Sequence, residues 1–127
     1  MLTASKLTAF VGVVDPDRAK AFYRDTLGLA PVSEELPFAL VFDAAGTMLR
    51  VTLVPHVVAA PYTVLGWRVD DIAETVKSLQ QRGVHFERFP GLNDQHELGI
   101  WTAPGGTRVA WFKDPDGNLL SIAQHRT

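Results

Sequence analysis

Two stretches of this chain carry the same punctuation 55 residues apart, and that duplication constrains the fold more than any other feature. Val14-Asp15 is answered by Val69-Asp70, and Gly28 by Gly83. Each pair brackets a helical pattern. A half of this size is marginal on its own, because a small chain buries too little of its unfolded surface. The halves are therefore expected to pack together, or to exchange with a second chain, to complete one core.

The repeat can be read element by element. Leu7–Val14 is short, apolar and β-branched, which predicts a strand. Asp15-Pro16-Asp17 starts a helix: Asp15 can cap, Pro16 suits the first helical position, and Asp17 complements the positive dipole end. Ala19, Phe22, Tyr23 and Leu27 recur at helical spacing, and Gly28 ends the helix. Strands are predicted at Ala30–Glu35, Phe38–Phe42 and Met48–Val54. In the last, Leu49, Val51 and Leu53 point one way and Arg50, Thr52 and Val54 the other. After a linker at Pro55–Pro61 the order restarts with a strand at Tyr62–Val69. Asp71 with Glu74 resembles a capping box, and Ile72, Val76 and Leu79 mark a second buried helix face that ends at Gly83. Strands are predicted at Val84–Phe89, Leu98–Thr102, Thr107–Phe112 and Leu119–Gln124.

Composition narrows the chemistry. The 127 residues are 46% hydrophobic and 20% charged, which excludes a disordered or collagen-like chain. There is no cysteine, so thiolate catalysis, disulfides and Cys-based metal sites are excluded. Any metal would fall to four His and fourteen acidic residues. Twelve basic residues are scattered without a run of three, which argues against nucleic acid as a partner. No apolar run reaches the ~20 residues of a membrane span. Met1–Lys6 lacks the basic and apolar regions of a signal peptide, so the expected location is cytoplasmic.

Val14-Asp15, Ala21-Phe22-Tyr23 and Leu27-Gly28-Leu29 in the first half decorate the repeat in a specific way. So do Val69-Asp70-Asp71-Ile72, Gly83-Val84 and Lys113-Asp114-Pro115-Asp116-Gly117-Asn118 in the second. With these residues the chain resembles the vicinal oxygen chelate superfamily: glyoxalase I, extradiol dioxygenases, and the fosfomycin and bleomycin resistance proteins. The resemblance spans about Leu7 to Gln124. It implies an α+β fold in which two tandem βαβββ modules form an incomplete curled mixed sheet or barrel around a pocket. Residues 1–127 would be one such domain, with module one at about 5–54 and module two at about 62–125. It also implies a homodimer, which agrees with the general frequency of twofold assemblies.

Metal enzymes of that superfamily hold the ion on facing strands with His or Gln, His and carboxylate ligands. The positions implied here are Thr8, Val64 or Thr63, Ser121, and Arg50 or Thr52. Hydroxyl and isopropyl groups do not replace imidazole and carboxylate, and an Arg repels a cation. The expectation is therefore no metal and no cofactor. The nearest analogue is the bleomycin-resistance-like branch, which sequesters a small molecule.

The expected ligand-binding residues are Thr8, Phe10, Arg50, Thr52, Trp101, Trp111 and Ser121. Arg50 would favour an anionic group, unless it is a strand-edge residue reaching solvent. Trp101 and Trp111 would take a planar ligand, unless they are core or dimer packing. Trp67 shares parity with Leu65 and Val69 and reads as packed under helices. Asp94-Gln95-His96-Glu97 reads as a solvated loop or as a flap, with His96 the one candidate for proton transfer. His56, His85 and His125 read as surface residues. Two alternatives stand beside sequestration. One is a lyase, isomerase or dioxygenase of the same superfamily with ligands relocated to His96, Glu97 or His56. The other is a regulatory subunit using sheet edges and Trp surface.

Overall fold

The computed structural model describes residues 1–126. The chain divides into two compact units, Met1–Val58 and Ala59–Thr127, with the boundary inside the linker expected at Pro55–Pro61. Each unit is a four-stranded mixed sheet with one helix, in the order βαβββ.

In the first unit β1 (Thr8–Val13) runs parallel to β4 (Thr47–Leu53), which pairs antiparallel with β3 (Ala39–Ala44). The edge strand β2 (Ala30–Glu35) completes the order β1-β4-β3-β2. Strand alternation separates two faces. Val11, Val13, Leu40, Phe42, Leu49 and Val51 are buried, and so are Ala19 and Tyr23 of the helix. The Tyr23 and Phe42 rings lie 6.3 Å apart, which puts the helix on that face. Each of the buried Val, Leu and Phe side chains contributes roughly 1.5–3 kcal/mol by leaving water.

The helix starts as the sequence dictates. Asp15 accepts hydrogen bonds from the amides of Asp17 and Arg18, and Pro16 occupies the first turn of α1 (Pro16–Lys20). The continuation is not α-helical. Ala21–Thr26 is a π segment, in which the Leu27 amide donates to the Phe22 carbonyl five residues back. A π turn takes up one extra residue within a helix. It accounts for a mismatch in the repeat: the capping residues Asp15 and Asp71 are 56 apart, whereas the terminating Gly28 and Gly83 are 55 apart. Both glycines sit at positive φ, 75° and 92°.

In the second unit β5 (Leu65–Arg68) runs parallel to β8 (Leu119–Gln124), followed by β7 (Arg108–Lys113) and the two-residue β6 (Trp101–Thr102). Helix α2 (Ile72–Gln81) is capped by Asp71, which accepts from the Glu74 amide at 3.2 Å. Ile72 and Val76 are buried, as are Ala110, Phe112, Leu120 and Ile122 of the sheet. Trp67 shares that face and stacks on Phe112 at 6.4 Å, in agreement with its predicted parity. The Asp114–Asn118 turn is closed from within. Asp114 accepts from the amides of Asp116 and Asn118 and from the Asn118 side chain, and both Asp114 and Asn118 are buried.

One predicted strand is absent and two are shortened, Tyr62–Val69 to Leu65–Arg68 being one of them. Val84–Phe89 forms no strand; it contributes a single bridge, Phe86 to Phe112. Leu98–Thr102 is reduced to Trp101–Thr102. Side chains of the intervening segment occupy the backbone groups instead. Asn93 engages those of Glu87, Phe89 and Gly99, and His96 Nδ1 accepts from the amides of Leu98 and Ile100. With the surplus strand gone, the second unit repeats the first: three strands follow each helix.

Candidate functional site

Each sheet has a face turned away from its helix, and these two faces carry every expected binding residue; on the first, Ala39 and Val41 are themselves buried. On the first sheet, the register sets Phe10 beside Arg50 and Gly12 beside Thr52, with Thr8 beside Met48. Phe10 is 60% exposed, while Arg50 and Thr52 are half-buried. Across β3 the neighbour of Arg50 is Val41, and the neighbour of Thr52 is Ala39. Arg50 does not simply reach solvent. Its Nη1 lies 3.1 Å from Oε1 of Glu35, at the end of β2.

On the second sheet, Gly66, Ser121 and Trp111 form one row across β5, β8 and β7. A methyl group on Gly66 would lie 2.9 Å from the Ser121 hydroxyl, so the glycine is what lets Ser121 occupy that face. Trp111 is the middle of three aromatic rings. Trp101 lies 6.0 Å away at a 33° tilt, and Phe89 meets Trp111 edge-on at 5.5 Å. Each of these three side chains is half-buried. Such a row offers broad polarisable surface to a planar molecule.

The segment from Glu87 to Trp101 is a cross-braced arch. The Glu87 amide donates to the Trp111 carbonyl at 2.7 Å at one end, and Trp101 pairs with Val109 at the other. Inside it, Asn93 is 2% exposed. It accepts from the Phe89 amide at 2.7 Å and donates to the carbonyls of Glu87 and Gly99 at 2.9 and 2.7 Å. The Arg88 guanidinium donates to the carbonyls of Asp94, His96 and Glu97. His96 Nδ1 accepts from the amides of Leu98 and Ile100 at 3.0 and 3.2 Å. That nitrogen is committed to holding the loop, which leaves Nε2 as the ring's other polar atom. His56, His85 and His125 are exposed, as the sequence implied.

The donor set does not suit a metal ion. The implied ligand positions hold Thr8, Val64, Ser121 and Arg50 or Thr52. Among the described residues, no group of three or more His, Asp or Glu is placed to hold one. Oxygen and nitrogen donors of the required softness and charge are missing from those strands.

Sequence reading missed two participants. Phe89 reads as the end of a strand, and its contact with Trp111 exists because the arch folds back. Glu35 reads only as the last residue of the strand Ala30–Glu35, and nothing in its spacing ties it to Arg50 fifteen residues on.

Duplicated βαβββ modules with a helix on one sheet face and a polar-aromatic open face on the other define the glyoxalase fold class. The chain belongs to the Glyoxalase/Bleomycin resistance protein/Dioxygenase superfamily, whose family model matches residues 7–122. It is 33% identical over 126 residues to the uncharacterized protein YraH of Bacillus subtilis, covering 87% of this chain and 90% of that one. It is similar in structure to TnmS3, an antibiotic binding protein from Streptomyces sp. CB03234, at 27% identity and a TM-score of 0.74, with 99% of each chain covered. A superfamily member from Sphaerobacter thermophilus is similar at 25% identity and a TM-score of 0.73, over 98% of this chain and all of that one. No helix among the described residues is long and apolar enough to cross a membrane.

Proposed function

We propose that this protein binds a planar small molecule without a metal ion and does not transform it. The observation that carries this reading is the row Phe89, Trp111 and Trp101 beside Ser121, half-exposed on one sheet face; the positions that the resemblance implies for metal ligands hold no imidazole or carboxylate. Aromatic rings at 5.5 and 6.0 Å cost little conformational entropy to present and reward stacking. Beside that row Ser121 supplies a hydroxyl group for orientation; on the first unit's own sheet Thr8 and Thr52 offer hydroxyl groups and Arg50 a positive charge. The antibiotic binding described for TnmS3 is consistent with sequestration by this fold.

The test is an equilibrium titration with planar aromatic probes, read by tryptophan fluorescence, with and without a chelator. Saturable binding unaffected by the chelator, weakened at least about tenfold by Trp111→Leu, is expected. Binding that requires an added divalent metal, or probes that turn over, would overturn the reading.

A further inference from the structure

We propose that Glu35 is a built-in competitor for Arg50, so that the first module takes an aromatic anion by exchanging one carboxylate for another. The inference deepens the binding function proposed above and rests on it. Three observations carry it. Register makes Phe10, which is 60% exposed, the immediate cross-strand neighbour of Arg50, so an arene and a cation lie side by side on one face of the sheet. Arg50 is already paired, through Nη1 to Glu35 Oε1 at 3.1 Å. The pair is also accessible, with side-chain exposures of 27% for Arg50 and 49% for Glu35, so an incoming anion can reach both.

Geometry and energetics agree. Glu35 comes from the terminus of the edge strand β2, where every residue is exposed, and it crosses β3 to meet Arg50 on β4. Its carboxylate can swing away without disturbing a buried group. Exposed ion pairs of this kind are weak, so releasing Glu35 costs little, whereas a ligand that brings its own ring gains contact with Phe10 as well. Glu35 thus sets a threshold. A simple inorganic anion gains nothing over the carboxylate it displaces. A carboxylate or sulfonate attached to an arene gains the ring contact, and an arene without charge leaves the pair intact.

The experiment uses the full chain and two fluorescent probes of similar shape: anilinonaphthalene sulfonate, which is anionic, and N-phenylnaphthylamine, which is neutral. Glu35→Gln removes the competing charge at an exposed position, and near-UV circular dichroism verifies that folding is intact. The anionic probe is expected to bind Glu35→Gln roughly two- to fivefold more tightly than the wild type, the scale of an exposed ion pair. The neutral probe is expected to be unchanged. In an Arg50→Gln background the Glu35→Gln gain should vanish, because the carboxylate then has nothing to compete for. If both probes bind and Glu35→Gln changes neither, or changes both alike, the exchange is wrong while the binding function stands. If neither probe binds the wild type or any variant, both are wrong.

Discussion

Asn93 is the strongest single test of how the second module builds its open face. Replacing it with alanine deletes three hydrogen bonds at once, to the Phe89 amide and to the carbonyls of Glu87 and Gly99. The side chain is buried, so water does not readily replace it. At about 1 kcal/mol for each bond, more where a partner stays unsatisfied, Asn93→Ala should cost about 3 kcal/mol. In a chain of this size that lowers Tm by roughly 10 °C. The damage is also local in a readable way. Phe89 and Trp101 flank Trp111 because the arch between them is braced, so loss of the brace should weaken the near-UV circular dichroism of the tryptophan pair. Asn93→Asp sharpens the test. It keeps the oxygen that receives the Phe89 amide but turns the two donors into an acceptor facing carbonyls. It should destabilise at least as much as alanine despite its near-identical shape. Chemical denaturation and near-UV spectra check both variants. An Asn93→Ala protein within about 0.5 kcal/mol of the wild type, with its tryptophan signal intact, would refute the bracing role.

Three further outcomes are expected. Gly66→Ala should destabilise by about 1–3 kcal/mol, because the new methyl meets the Ser121 hydroxyl at 2.9 Å. Combining it with Ser121→Ala should recover part of that loss in a denaturation cycle. Asp71→Ala should cost about 1 kcal/mol by removing the cap of α2, measured in the same assay. Trp111→Phe should abolish the coupled tryptophan signal in circular dichroism, since Trp101 loses its partner at 6.0 Å. Trp67→Phe should leave it in place, since Trp67 stacks on Phe112 at the helix side of the sheet.

Much of this architecture was legible in residue order. The caps Asp15 and Asp71, the left-handed Gly28 and Gly83, and the strands Ala30–Glu35 and Leu119–Gln124 follow from chemistry confined to neighbouring residues. Parity alone separated Leu49 and Val51 from Arg50 and Thr52, because a strand alternates its side chains across the sheet. The π segment was less visible: its only trace is the one-residue mismatch between the cap and glycine offsets. The strand expected at Val84–Phe89 is absent because apolar alternation says nothing about a competing side chain, and Asn93 engages the Glu87 carbonyl and the Phe89 amide.

The sequence by itself determined the two helix caps, the two terminating glycines and most strands of a duplicated scaffold, because those depend on local propensity, period and residue type. That Thr8, Arg50, Thr52 and Ser121 occupy positions where relatives hold a metal is what the resemblance implies. Only the tertiary structure decided which distant groups meet: Glu35 with Arg50, Phe89 with Trp111, and the His96 ring with its own loop. Such contacts arise from sheet register and from the return path of a braced arch. Both are set by packing across many residues, and neither leaves a period in the sequence.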